Sequence, residues 1–189
     1  LDEIAFQKVV RRHEVVTPLA TVIDSHAAAL LRDLVTARRW DIYDDPFEDA
    51  AQFERYIDYT SGHLLVVASG VLGGADPQVV RDFAFATGLS NWFQAVPKLL
   101  SQRRHPLLDL SSKSLRRLAE QGLQRLAMAH NSRGLVSSDA GAALLCGWQT
   151  KSYLTEAFHH PERVLSGLSG PRLFVSKARL LVQAATGRW

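Results

Sequence analysis

The strongest constraint on this chain is its punctuation: residues that start and stop helices recur along its whole length, at helix-length intervals. Thr17-Pro18 reads as an N-cap with proline at the first helical position. Behind it, Leu19, Val22, Ile23, Leu30 and Leu34 follow helical spacing to about Ala37. Asp49 and Gln52 form a capping box in its D-x-x-Q form. Phe53, Ile57, Thr60, Leu64, Val67 and Val71 then step 4-3-4-3-4, one helical stripe, until Gly73-Gly74 ends it. Asp76-Pro77 opens the next helix, which carries Val80, Phe83, Thr87, Ser90 and the Trp92/Phe93 pair, and Pro97 disturbs its end.

Ser111 or Ser112 opens a helix through Leu115, Leu118, Leu126 and Ala129. Ser138 opens another through Leu145, Trp148 and Tyr153. Gly170-Pro171 opens the last, with Phe174, Ala178, Leu181 and Ala185 expected inward. The connections are short (41–47, 105–110, 131–137 and 159–169), and no run of four or more alternating residues carries hairpin signals. The pattern predicts an all-α fold, a single helical domain over residues 1–189. The chain opens on Leu1 rather than Met, so further helices are expected ahead of it.

With 47% apolar residues the chain can bury a substantial core. Its mean hydropathy is −0.05, and its most apolar stretch, 64–72, is too short to span a bilayer, which points to a soluble, cytoplasmic protein. A single cysteine, Cys146, lies in the apolar run 142–148 and is expected to be a small buried hydrophobe; it excludes an internal disulfide. The net charge is +3 with a pI near 9.2, and arginines pair at 11/12, 38/39, 103/104 and 116/117. Such pairs suit phosphates or an anionic membrane surface, but no aromatic-interleaved basic motif marks a nucleic-acid binder.

Four clusters are candidates for chemistry. Asp41, Asp44 and Asp45 form an acidic knot, and Asp41 and Asp45, four apart, would share one helix face in the geometry that holds Mg²⁺ against a diphosphate. Pro46 turns Asp45 away from helical geometry, so an acidic loop before a helix N-terminus is the competing reading. Tyr56, Tyr59, Ser61, Gly62 and His63 place polar groups and a glycine inside a helix, which fits either a close helix contact or a hydroxyl-lined pocket. Gly88, Ser90 and Asn91, followed by Gln94, pose the same choice. Arg103-Arg104-His105 could grip a phosphate or could be a solvated basic helix end. His159-His160 has no partners at metal spacing, and no nucleophile elbow is present.

These residues carry a resemblance. The run starting at Phe53, FERYIDYTSGHLLVVASGVLG, is similar to the segment of the squalene/phytoene synthase family that reads roughly Y-C-Y-x-V-A-G before an apolar helix, with Tyr56 and Gly62 at the family's Tyr and Gly. The run 84–97, AFATGLSNWFQAVP, resembles the segment that in active members ends Q-L-T-N-I-L-R-D with a second Asp four residues on. RHPLL at 104–108 is similar to the following R-x-Y-L-P. The resemblance implies a helical bundle of the isoprenoid (terpenoid) synthase type, with its cavity between 56–72 and 84–100.

The departures bear on function. Asn91 matches, but Gln94 stands for the family's Arg, Ala95 for its first metal-binding Asp and Leu99 for its second. Active members hold diphosphate through Mg²⁺ between two Asp-rich motifs; here one motif is gone and the other is expected ahead of Leu1. The spacing of Gly88, Phe93, Gln94, Ala95 and Pro97 is closer to a branch without those carboxylates, resembling the mitochondrial complex I assembly factor of the phytoene-synthase type. The expected function is therefore a binding or respiratory complex I assembly protein without a cofactor. The implied partners are an assembly partner, a prenyl or lipid ligand and peripheral contact with the inner membrane. The alternative is an active head-to-head prenyl transferase using Mg²⁺, with Asp41 and Asp45 as its ligands. Candidate cavity residues are Tyr56, Tyr59, Gly62, His63, Gly88, Asn91, Gln94, Arg103 and Arg104.

Overall fold

The computed structural model describes residues 1–6, 12–43, 45–171 and 173–189, with Leu173 and Val175 by their backbone only. Two short helices, α1 (Asp2–Ala5) and α2 (Val16–Leu19), precede α3 (Ser25–Arg38). A 3₁₀ turn, Arg39–Ile42, leads to α4 (Ala50–Ile57), a π turn (Asp58–Gly62) and α5 (His63–Leu72). Then come α6 (Pro77–Ser101), α7 (Ser112–Asn131), α8 (Ser138–Leu144), α9 (Thr150–His159), α10 (Arg163–Ser166) and α11 (Leu173–Thr186). Among the described residues no strand forms; an isolated bridge pairs Ala75 with Val136.

Helix α6 is the axis of the bundle. It is apolar on nearly every side, and a helix of that kind must be covered all round. Val80, Ala84, Leu89, Phe93 and Val96 are fully buried, and α4, α5, α7, α9 and α10 all pack on it. Burying a side chain such as Phe93 contributes roughly 2–3 kcal/mol. Gly122 lets α7 approach closely: a Cβ there would stand 3.0 Å from both Leu89 and Leu154.

The sequence caps hold at three helices. Asp49 Oδ1 accepts from Gln52 N at 2.6 Å, Asp76 Oδ1 from Gln78 N at 2.9 Å and Val79 N at 3.1 Å, and Ser111 Oγ from Ser114 N at 3.3 Å. Pro97 does not end α6, which runs on to Ser101.

Five expectations are corrected. The helix expected from Thr17 begins at Ser25: Thr17 Oγ1 accepts from His13 N, and Asp24 caps α3 through Ala27 N at 2.7 Å. Leu64 and Val71 leave the buried stripe and are 51% and 45% exposed. The π turn inserts one extra residue, so the face after Gly62 rotates: His63 and Leu65 turn inward, while Val67 stays buried as the stripe expects. The helix expected from Ser138 to Tyr153 is broken by a 3₁₀ turn at Leu145–Gly147. Gly147 is pressed onto α6, where a Cβ would come within 2.5 Å of Phe83 Cζ, and the chain bends there to make that approach. Cys146 is exposed, because the same turn sends Leu144 and Gly147 inward and the thiol out. Finally, Phe174, Ala178, Leu181 and Ala185 of α11 face solvent rather than the core; α11 rests on its Ser176 side, with Ser176 buried.

Candidate functional site

The π turn positions a cleft of about 270 Å³ between the end of α3, the turn itself and the C-terminal half of α6. Its widened loop brings Thr60 and Ser61 to the cleft and sets Ser61 against Gly88, where a Cβ would meet Ser61 Oγ at 2.5 Å. π turns of this kind interrupt helices where a side chain must be aimed off the regular track.

One wall is a hydrogen-bonded triangle. Tyr56 Oη donates to Asp41 Oδ1 at 2.7 Å, Arg38 Nη1 donates to Asp41 Oδ2 at 3.1 Å, and the same Nη1 reaches Tyr56 Oη at 3.1 Å. Burial, and then the bond to Asp41, push the Tyr56 phenol well above its ordinary range, so it stays protonated and donating. Beside the triangle, Arg104 donates to the carbonyls of Tyr43 at 2.6 Å, Asp41 at 3.0 Å and Trp40 at 3.3 Å, with its guanidinium 5.2 Å from the Trp40 ring centroid. This fork ties 40–43 to the end of α6 across more than sixty residues of sequence. Trp92 closes the floor among Trp40, Phe47, Phe53 and Tyr56, and its Nε1 donates to Pro106 O at 3.0 Å.

Ala95 and Leu99 line the α6 side of the same cleft. Neither side chain offers an oxygen or nitrogen. Among the described residues, the charged side chains lining the cleft are Arg38, Arg104 and Asp41.

The residues do not fit Mg²⁺ gripped from two helices. Mg²⁺ takes oxygen ligands in a near-octahedral set, whereas Asp41 is already committed to Tyr56 and Arg38, and among the described residues no second carboxylate lines the cleft. Asp45 is exposed and outside the cleft lining, and Asp44 lies outside the described residues. Among the described residues no group of three or more His, Cys, Asp or Glu side chains could hold a metal ion.

Of the residues singled out by sequence, the cleft brings together Asp41, Tyr56, Ser61, Gly88, Asn91 and Arg104. The others go elsewhere. Tyr59 stacks on His63 at 4.7 Å, and His63 is buried with Nδ1 3.0 Å from Leu30 O, where burial lowers its pKa. Gly62 faces the Asp58–Arg81 ion pair. Gln94 is exposed, with Nε2 donating to Ser90 O, and Arg103 is exposed at φ 62° just past the end of α6. Sequence reasoning treated Arg38 as one of several basic pairs; its place one turn before Asp41 is the signal that could have found it.

Among the described residues no helix is long and apolar enough to cross a membrane. The family model for squalene/phytoene synthase matches residues 2–176. No curated protein and no solved structure matches the chain. With the match spanning nearly the whole helical bundle, the chain belongs to the squalene/phytoene synthase family.

Proposed function

We propose that this protein keeps the family bundle and its inter-helix cleft as a binding scaffold and does not carry out metal-dependent prenyl transfer. The observation that carries this reading is the cleft wall at Ala95 and Leu99, which has no metal-binding atom and shares the space with Arg38, Arg104 and an already paired Asp41. Prenyl transfer in the family depends on a metal that neutralises the departing diphosphate as carbocation character develops. Among the described residues, the one carboxylate lining the cleft is already paired, which speaks against such a clamp. The two arginines suit a phosphate-bearing or carboxylate group on a ligand or a partner protein. The resemblance of 88–97 to the carboxylate-free branch supports a place in the assembly of respiratory complex I.

The test is incubation of the full chain with farnesyl or geranylgeranyl diphosphate and Mg²⁺, with assay of released pyrophosphate and of the hydrocarbon product. No release above the protein-free control is expected. Turnover sensitive to Asp41→Asn would instead establish the head-to-head transferase. The assembly role is read separately: removing the gene from a respiring host should lower assembled complex I on native gels, and unchanged complex I would end that part of the reading.

A further inference from the structure

Between α9 and α11 two polar stripes line one cavity of about 440 Å³. Trp148, just before α9, and Lys151, Ser152 and Thr155 on it follow the i, i+3, i+4, i+7 spacing of a single helix face. Arg179 and Gln183, one turn apart, are the α11 side, and Phe83, Leu126 and Trp189 supply the apolar part of the lining. Helices that pack only for stability meet through apolar side chains and leave few voids. Here they leave a gap lined with charge, hydroxyl and amide, and its size falls in the range of small-molecule sites, roughly 300–1,000 Å³. The cavity shares no lining residue with the cleft of Tyr56 and Arg104. Arg179, Gln183 and Trp189 stand beyond residue 176, where the family match ends.

The lining is cationic and uncommitted. Among the described residues no Asp or Glu side chain lines the cavity, and neither Lys151 nor Arg179 has a carboxylate partner. The hydroxyls of Ser152 and Thr155 make no hydrogen bond among the described residues, to the helix or across the gap. His130, on the same lining, feels the positive field: after burial, repulsion from Arg133 and Lys151 lowers its pKa, and it meets the cavity as a neutral ring. The carbonyl of Trp189 is taken by Arg133 Nη2 at 2.8 Å. Gln183 Oε1 is buried without a partner, and a buried acceptor of that kind needs a donor from water or from a ligand. Two like charges held over one gap repel each other, and an anion between them removes that cost. The donors match phosphate better than carboxylate. A guanidinium fork, an ammonium and two hydroxyls serve three terminal oxygens, more than a carboxylate presents.

We propose that this cavity binds a phosphate-bearing small molecule, with Lys151 and Arg179 on the phosphoryl oxygens and Ser152 and Thr155 hydrogen-bonded to them. The test is titration of the full chain with inorganic phosphate, adenosine monophosphate and succinate, followed through the tryptophan indole N–H resonances. Trp148 and Trp189 should shift with both phosphates, while Trp40 and Trp92, which pack together beside the cleft, stay in place. Tighter binding of adenosine monophosphate puts an organic portion on the apolar side of the cavity; equal affinity makes free phosphate the ligand. Lys151→Ala and Arg179→Ala should each weaken phosphate binding about tenfold. Thr155→Val should weaken it several-fold, and Lys113→Ala, an exposed change in the first turn of α7, should leave it unaltered. Lys151 and Arg179 are both exposed, so the thermal midpoint should not fall in their variants. Should it fall, the tryptophan shifts of the unaltered protein decide the matter alone. No shift at Trp148 or Trp189 with millimolar phosphate would overturn the proposal. So would shifts at Trp40 and Trp92 instead, succinate binding as tightly as phosphate, or an affinity indifferent to the loss of either cation.

Discussion

Tyr56 donates its phenolic hydrogen to Asp41 across 2.7 Å, on the cleft wall where Arg38 holds the other carboxylate oxygen. The contact joins α4 to the turn after α3, fifteen residues apart, and fixes Asp41 as an acceptor for protein groups. Tyr56→Phe removes the donor and leaves the packing of the ring intact. A loss of about 1–2 kcal/mol is expected, read as a lower urea midpoint at unchanged denaturant slope. An unchanged midpoint would mean that water replaces the phenol without cost and that Asp41 is available to other ligands.

Arg104 serves three carbonyls at once from two guanidinium nitrogens held in one plane, a spread that the single nitrogen of an ammonium does not reproduce. Arg104→Lys keeps the charge and loses the fork. We expect it to cost about 2 kcal/mol and to speed amide hydrogen exchange specifically over 40–43. If exchange there is unaltered, the segment is held by the stacking of Trp40 on Phe47 at 4.3 Å instead.

Gly88→Ala tests the contact that shapes the cleft. Its Cβ would fall 2.5 Å from Ser61 Oγ and 2.9 Å from Ile57 Cγ2, too close without movement of the π turn. The expected cost is about 1–3 kcal/mol. Adding Ser61→Gly should recover part of it, because the nearest clash goes while the Ile57 contact remains. Purely additive effects in the double-mutant cycle would show that the two positions do not meet.

His130 gives the fold an acid-sensitive point. Burial, then repulsion from Arg133 and Lys151, lowers its pKa from 6.5 to about 4. The folded protein therefore takes up this proton later than the unfolded chain does. Its contribution is fully present above pH 6.5 and is lost as pH falls through the window toward about 4. The ring is only partly buried, so after solvent screening the loss is on the order of 1–2 kcal/mol. Urea midpoints at pH 7 and pH 5 should differ less in His130→Gln than in the unaltered protein. His63, also lowered by burial, acts in the same direction and accounts for a residual slope.

What the sequence determined by itself is the local grammar. Asp49, Asp76 and Ser111 cap the helices their spacing assigns to them, because a cap needs only a side-chain oxygen two or three residues from a free N–H. That positions 95 and 99 carry Ala and Leu, side chains without a carboxylate, is likewise legible from the sequence alone.

Tertiary structure decided everything that depends on phase and on distant partners. A π turn is a change of one residue in helical phase; it leaves no mark in a 4-3-4 spacing, yet it turns Leu64 outward and sets Ser61 against Gly88. The meeting of Arg104 with 40–43 and the pairing of Arg38 with Asp41 and Tyr56 rest on how α3, α4 and α6 pack, which no local pattern encodes. The apolar stripe of α11 was plain in the sequence, but periodicity gives only the angular width of such a face. Which way it points is settled by what the rest of the bundle leaves uncovered, and here that is solvent.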